Sequence, residues 1–539
     1  MNYYSFDIFD TCLVRLCGES RNVIEVLSTR FDFGGNETLR RQFVSSRISA
    51  DNRDLSTLTE IYSRMSADFP LPKSPEDMAE IEMQIEKELI VPVVKMRDIV
   101  NTSRKKGSVL FISDMYLPEA FLRNLLQVHG FFYEGDSIYV SCEHNASKRS
   151  GVLFKIIHER ERIPYSRWHH YGDNQYGDIK VPRKLGIHAH KTIHPYLHYE
   201  RKWRNIPVLG FQYTSMLAGI SRGIRLSNNA PKDQKAFVCD ISAPFIVFWT
   251  LNIMSEAASE GIKRLYFCAR DARAEYIVAK KFKPLFPNLE IRYLFISRQS
   301  LKTDNNILIE WLRQEGIASD DPVAIVDTNT TGKTIHRINE ILISSRYQTI
   351  KGWFFSRVPY NGSYILVDEA SSVDNNFFAD SSYLNSVSGK VSGMITGLSV
   401  IYEILFSLNC HKKTIGYAKD GVLIKPVLSI DNEDLWQIKP NSIQAMHANN
   451  DLLECYADAV IRTNLVTLHK DILNNQVISS LFDFLQYPRK EYLSYMRRFI
   501  WKGKPFVDNL WKTHIWKRGS RAYSIPPCVL DLLYHYRKR

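Results

Sequence analysis

The sequence predicts an α/β chain: two successive parallel-sheet domains and then a largely helical C-terminal region. Three observations carry that prediction. Short apolar runs that end in an acid or a hydroxyl are followed by turns and amphipathic stretches, the strand–turn–helix rhythm of parallel sheets. The rhythm occurs twice, before about residue 195 and again from about Val238, on either side of a polar, Pro-containing stretch near Thr192 to Pro207. Finally, 539 residues are too many for one ordinary core, at roughly 150 residues per domain. The expected division is 1–195, 208–400 and 401–539.

In the first domain, SFDIFDT (Ser5 to Thr11) places Asp7 at the end of an apolar strand with the hydroxyl of Thr11 four residues on. A carboxylate so placed can attack phosphorus and be hydrolysed free again. Reading Asp10 as the nucleophile instead would put Val14 where the hydroxyl belongs, so Asp7 is preferred. VLFISDMYLP (Val109 to Pro118) is a second strand, ending in Ser113, whose hydroxyl is suited to a phosphoryl oxygen. Lys148 in NASKRSGVLF opens an amphipathic helix and is suited to neutralise nucleophile and phosphate together. HHYGDNQYGDIKVPRKLGI (His169 to Ile187) then gives a short strand, a Gly-Asp turn and a second acid. Asp173 and Asp178 make a hard-oxygen corner suited to Mg²⁺, which keeps waters and borrows one or two carboxylates.

These four segments, in this order, resemble motifs I to IV of the haloacid dehalogenase (HAD) superfamily over roughly the first 195 residues. The resemblance implies a HAD Rossmann-like domain with Asp7 as nucleophile and Ser113 and Lys148 as phosphate holders. It implies Mg²⁺ as cofactor, held by Asp7, the backbone carbonyl of Phe9, Asp173 and Asp178. One departure stands out: HAD phosphatases usually carry a proton-donating Asp two residues after the nucleophile, and that position is Phe9. General acid catalysis is worth about 10²- to 10⁴-fold, so its loss means slow hydrolysis, a replacement acid or a dead site. Asp10 and Asp114 are the candidate replacements, with Asp10 equally readable as a cap on a helix following the strand.

Between motifs I and II, about residues 14–106, NVIEVLSTRF, LTEIYSRMSADF and EDMAEIEMQIEKELIVPVVKMRDIV carry apolar residues at three- and four-residue spacing, which predicts helices. The resemblance implies a helical cap here that selects the substrate.

In the second domain, PVAIVDTNTTGKTIHRINEIL (Pro322 to Leu342) reads as buried strand, hydroxyl- and Gly-rich turn, and amphipathic helix. Such a turn at a helix N-terminus cradles anions. A Walker A reading of GKT fails because Asp327 stands where that motif needs Gly,. The segment resembles the PRPP loop of type I phosphoribosyltransferases, although Val326 replaces the usual first acid of the pair. That likeness implies Asp327 on the ribose hydroxyls and Thr330, Thr331, Gly332, Lys333 and Thr334 around the 5-phosphate. Upstream, GIKRLYFCARDARAEYIVAKKF (Gly261 to Phe282) supplies Arg270, Asp271 and Arg273 for a pyrophosphate-binding turn, and IRYLFISRQSL (Ile291 to Leu301) supplies Arg298. The alternative is that these arginines lie on solvated helix starts, paired to Asp271 or Glu275.

Composition sets outer bounds. Hydrophobic residues make up 45% and charged residues 24%, as in soluble globular chains. MNYYSFDIFD runs straight into a strand without a leader pattern,. The longest apolar run, Ser242 to Met254, is too short to cross a bilayer,. Eight cysteines show no CxxC or Cys/His clustering, so a reduced, cytoplasmic protein without zinc is expected,. From Arg489 to Arg539, 13 basic residues face three acids, a net of +10 out of the chain's +12, interleaved with aromatics. That mixture suits an anionic membrane surface or lipid-linked glycan, simple packing with the cations in water, or, less well, nucleic acid.

The pairing of the two domains resembles bacterial ribofuranosyltransferase systems of polysaccharide (O-antigen or capsule) assembly. The implied function is transfer of 5-phosphoribosyl from PRPP to a glycan acceptor, lipid-linked or free, followed by removal of the 5-phosphate. The rivals are a HAD phosphohydrolase whose second domain only binds a nucleotide or sugar phosphate, a non-catalytic scaffold, and a nucleobase-salvage enzyme.

Overall fold

The computed structural model describes residues 1–51, 56–204, 213–330, 333–357, 374–376, 405–406, 413–429, 436–437, 441–486, 489–496, 500–501 and 504–505. They form a mixed α/β chain with two parallel sheets and many helices. It divides into two compact units, Met1–Asn229 with Ala459–Thr467, and Ala230–Asp458 with Leu468–Arg539.

The first unit contains β1 (Asn2–Asp7), β2 (Leu13–Arg15), β3 (Ile90–Pro92), β4 (Gly107–Ser113), β5 (Ser137–Val140), β6 (Trp168–Gly172) and β7 (His188–Lys191). Five of these make one sheet in the order β5-β4-β1-β6-β7, every pair parallel. The strand order reverses between β1 and β6, so the crevice for a ligand opens at their carboxyl ends. On one face of the sheet, Leu153, Phe154 and Ile157 of helix Val152–Glu161 pack on Leu110, Ile112 and Trp168. The unit continues past residue 195 because helix Tyr213–Ser227 lies on it. A Cβ on Gly219 of that helix would fall 2.2 Å from the Gly18 nitrogen, so only glycine permits the approach.

Residues 14–106 are helical as their periodicity predicts, with helices Arg21–Ser28, Glu37–Ser49, Leu58–Asp68, Pro75–Leu89 and Val94–Arg104. The last long run is interrupted: β-branched Ile90 and Val91 precede Pro92, which cannot donate to a helical ladder, and the three residues pair antiparallel with β2 instead,. Inside the helical layer Arg47 donates to Glu82 from Nε (2.9 Å) and Nη2 (2.8 Å), and Tyr62 Oη donates to the same carboxylate (2.5 Å).

The second unit contains β8 (Arg264–Cys268), β9 (Glu290–Leu294), β10 (Val323–Thr330), β11 (Lys351–Arg357) and β12 (Asp374–Asn376). They form a parallel sheet in the order β12-β11-β10-β8-β9, a doubly wound arrangement whose switch point lies between β8 and β10,. A hairpin of β13 (Thr414–Asp420) and β14 (Leu423–Leu428) turns at Gly421, whose φ of 63° suits a tight hairpin,. Tyr417 of β13 stacks on Trp311 at 4.0 Å.

One correction concerns residues 242–254, read from the sequence as too short to span a bilayer. They belong to a continuous helix over 232–259 that is long and apolar enough by length and composition, and its apolar stretch is wholly buried in the unit. Tyr492 Oη donates to Asp240 (2.8 Å) and Gln234 donates to Asn449 (2.8 Å), so distant partners satisfy polar groups that broke the apolar pattern. Tyr492 and Tyr495, part of the basic aromatic end, are buried core residues here. Nearly all of that end beyond residue 496 lies outside the described residues.

Candidate active site

At the switch point of the first sheet, β1 delivers Asp7, β4 delivers Ser113 and the turn after β6 delivers Asp173. These line a cavity of about 220 Å³ together with Phe9, Asp10, Arg15, Asp114, Lys148 and Asp178. Lys148 Nζ lies 2.5 Å from Asp7 Oδ1 and 2.6 Å from Asp178 Oδ1, so one ammonium holds two buried carboxylates. Asp7, Asp173 and Asp178 each offer a carboxylate oxygen, all within 4.8 Å of one another. That all-oxygen donor set fits a hard divalent cation.

Electrostatics agree with the crowding. Burial pushes the Asp7 carboxyl up; Lys148 opposes that, while Asp178 and Asp173 add to it. Burial, followed by the charges of Asp10 and Asp178, raises Asp173 to about 6. For Asp178 burial is outweighed by Lys148 and His170, and its carboxyl sits below the usual range. Lys148 is likewise held charged: burial disfavours the ammonium, but Asp178 and Asp7 overcome it.

Lys148 does not open a helix, as the sequence reading had it. It sits in the turn before helix Val152–Glu161, and Asp114 fixes that turn by accepting from the Lys148 amide (2.7 Å) and the Arg149 amide (3.3 Å). Nor does Asp10 cap a helix. It adopts φ 56° in a tight loop between β1 and β2, and Arg222 Nη1 donates to its Oδ1 at 2.8 Å. Both candidate replacement acids are therefore carboxylates already engaged by donors.

The sequence reading missed a relay behind Asp178. Trp168 Nε1 can only donate, so it donates to Ser5 Oγ (2.8 Å); ionised Asp178 beside the other ring nitrogen can only accept, so the neutral His170 ring turns Nδ1 to accept from the Ser5 hydroxyl (2.7 Å),. The proton of His170 is then on Nε2, facing Asp178 Oδ1 at 3.2 Å. Burial keeps this imidazole neutral by lowering its pKa. Gly172 belongs to the same design, since a Cβ there would lie 2.4 Å from Asp178 Cγ. The HH and YGD patterns contain these residues, but only strand register joins Ser5 to His170.

At the second switch point the structure brings together some of the expected residues. Asp271 follows β8 and Asp327 lies on neighbouring β10; burial and then Asp327 lift Asp271 to about 7, opposed by Arg270 and Arg298. Burial, with Asp271 and Asp327 contributing, raises Glu275 to about 8, and its Oε2 has no partner among the described residues. Thr334 is buried, whereas Lys333 is half-buried at the start of helix Lys333–Ser344. Arg273 turns away onto the Tyr293 ring, 5.5 Å from its centroid. For Thr330 only the backbone is described, and Thr331 and Gly332 lie outside the described residues.

No family model and no curated protein matches the chain. Among solved structures, a HAD family enzyme from Bacteroides thetaiotaomicron, an Asp-to-Ala mutant in complex with magnesium and inorganic phosphate, is 15% identical. It covers 35% of this chain and 93% of its own, with a TM-score of 0.28. A 2-haloacid dehalogenase from Pseudomonas syringae is 11% identical and covers 41% of this chain and 97% of its own, with a TM-score of 0.26. Similarity at that level assigns no chemistry, which has to come from the side chains.

Proposed function

We propose that the first unit is a Mg²⁺-dependent phosphohydrolase of the HAD type with Asp7 as nucleophile. The observation that carries this reading is Lys148 bridging Asp7 and Asp178 at 2.5 and 2.6 Å beside Asp173. Lys148 orients Asp7 and offsets charge as a phosphate enters, and Ser113 holds a phosphoryl oxygen. The Asp7 carboxylate bonds to phosphorus while the ester oxygen leaves with its electron pair. Water then attacks phosphorus, releasing phosphate and restoring the carboxylate. Mg²⁺, when held by Asp7, Asp173, Asp178 and the Phe9 carbonyl, supplies charge neutralisation. The test is phosphate release from sugar and aryl phosphates with Mg²⁺: the intact chain should be active, and the reading fails if Asp7→Asn retains that activity.

We further propose, as the finer reading, that the second unit transfers 5-phosphoribosyl from PRPP to a glycan acceptor and that the first unit removes the 5-phosphate, in bacterial polysaccharide assembly. Its support is the pairing of Asp271, just past β8, with Asp327 on neighbouring β10, and Arg270 and Arg298 in electrostatic range. Carboxylates orient ribose hydroxyls, and guanidinium suits pyrophosphate. On this reading the chain works in the cytoplasm, and its basic end meets the inner membrane that carries a lipid-linked acceptor. Asp327→Ala should abolish PRPP-dependent transfer and spare phosphate release; unchanged transfer would instead favour a second unit that only binds a nucleotide or sugar phosphate.

A further inference from the structure

The phosphohydrolase reading leaves one chemical problem open, namely what happens to the charge on the departing oxygen. Phe9 has no proton to give. Asp10 is ion-paired to Arg222, and Asp114 accepts two backbone amides. Lys148 is committed to Asp7 and Asp178. In-line displacement puts the leaving oxygen on the side of phosphorus away from Asp7. Apart from Ser113, Lys148 and the acids, the cavity wall includes Phe9, Arg15, Ser20 and Tyr116.

Arg15 is built into that wall. Its Nε (2.8 Å) and Nη2 (2.8 Å) are taken by Glu86 in a buried bidentate pair. Its guanidinium carbon stands 4.0 Å from the centroid of the Phe9 ring. Nη1 has no protein partner among the described residues, and the side chain lines the cavity. The cation is thus held rigidly by Glu86 and by the residue that replaces the usual acid, with one N–H-bearing nitrogen to spare. A guanidinium does not give up its proton at any working pH, so what it offers is charge and a hydrogen bond from a buried side chain, where such stabilisation is large,.

We propose that Arg15 is a catalytic residue that stabilises the leaving oxygen as an anion, so that leaving-group departure in this site proceeds by charge stabilisation in place of proton donation. As the Asp7–phosphorus bond forms, the bond from phosphorus to the ester oxygen breaks and its electron pair stays on that oxygen. Arg15 Nη1–H donates to the oxyanion and remains protonated, and solvent water supplies the proton as the alcohol departs. Dependence on Arg15 therefore grows with the basicity of the leaving oxygen and is greatest for alkyl esters such as a pentose 5-phosphate. The inference rests on the phosphohydrolase reading.

The experiment measures kcat/KM of the full chain with Mg²⁺ on 4-nitrophenyl, phenyl and alkyl phosphates. It compares the unmodified protein, Arg15→Lys, and the paired Arg15→Met/Glu86→Gln, which avoids leaving a buried carboxylate unpaired. The expected loss in the variants is smallest for 4-nitrophenyl phosphate and reaches about 10²- to 10³-fold for alkyl esters. A loss equal across the series means Arg15 is merely structural and overturns the proposal. So does an unchanged series in the Arg15 variants with a steepened one in Tyr116→Phe, which would give the role to the phenol as a proton donor. Should the variants not fold, the unmodified protein still decides: a solvent deuterium isotope effect near unity supports charge stabilisation, and a large one overturns it. Absence of phosphate release from the unmodified protein would instead remove the phosphohydrolase reading itself.

Discussion

Both units bring carboxylates together near the carboxyl ends of adjacent parallel strands, yet they offset the resulting charge differently. In the first, a buried lysine touches two of the acids directly and a neutral histidine backs one of them. In the second, the charges of Arg270 and Arg298 oppose the rise of Asp271, and Glu275 keeps a buried oxygen without a partner among the described residues. So Asp178 stays ionised, although burial pushes Asp7 up and Asp173 to about 6, while Asp271 and Glu275 are driven up to about 7 and about 8. The first site holds a fixed ammonium among its acids before anything binds; the second keeps Asp271 and Glu275 close to neutral at physiological pH.

Removing the nucleophile separates the two units most strongly. Asp7→Asn keeps the size of the side chain and abolishes its nucleophilicity, so phosphate release should fall by roughly 10⁴-fold or more, as when a covalent nucleophile is lost. Transfer by the second unit should persist and its phosphorylated product accumulate, visible by mass spectrometry. Loss of both activities in a folded variant would mean the two sites are not independent.

Lys148→Met tests the balanced side of the comparison. Asp7 and Asp178 would then face each other, buried, without their shared cation. Breaking a buried pair from one side costs about 3–5 kcal/mol, to be read from urea denaturation at neutral pH without metal. If stability is unchanged, the bridge is not what organises the site.

Glu275→Gln tests the unbalanced side through pH. Between the ordinary glutamate value and about 8 the folded chain holds a proton that the unfolded chain has released. Stability therefore declines as pH climbs through that interval. The amide removes this contribution, so the variant should gain on the order of 2–4 kcal/mol at pH 8.5 and almost nothing at pH 5. Thermal melts at the two pH values check it, and an equal gain at both would show that Glu275 is not held protonated.

The difference between the units also marks what could be read from the sequence. Asp7 and Ser113 each end a strand-like run, Asp173 follows one in a Gly-Asp turn with Asp178 five residues on, and Lys148 stands just ahead of an amphipathic stretch, so local pattern was enough to select them, and the structure gathers them in one cavity. Parallel sheets and a helical insertion follow from periodicity in the same way. Pairings across long sequence separations left no local trace: Arg222 reaches Asp10 across 212 residues and Arg15 reaches Glu86 across 71. The helix over 232–259 was shortened in the reading because Asp233, Lys235 and Asp240 interrupt its hydropathy, and Tyr492, Asp240's partner, is 252 residues away. Arg273 looked like a phosphate ligand because sequence places it in the right turn, but a helix start does not determine which way its side chain goes.

The smallest expected effect is the sharpest probe of how the first site stays ionised. Ser5→Ala removes the hydroxyl that accepts from Trp168 and donates to His170, leaving a buried indole N–H and Nδ1 without partners. A buried polar group left unsatisfied costs about 1–3 kcal/mol, so a modest drop in stability follows. The consequence for function is more specific. Without the Ser5 hydroxyl on Nδ1, Asp178 itself is left to favour the tautomer that carries its proton on Nε2, the ring loses its anchor, and the hydrogen bond to Asp178 weakens. Groups that orient a metal-binding carboxylate from behind are worth roughly 10- to 100-fold in metal affinity, and Ser5 acts one step further back, so a loss near the lower bound is expected. Isothermal titration with Mg²⁺ would measure it directly, with Ser5→Thr restoring the hydroxyl. A stability loss with no change in Mg²⁺ affinity would reduce the relay to core packing and leave Lys148 and the Asn174 amide to hold Asp178 charged.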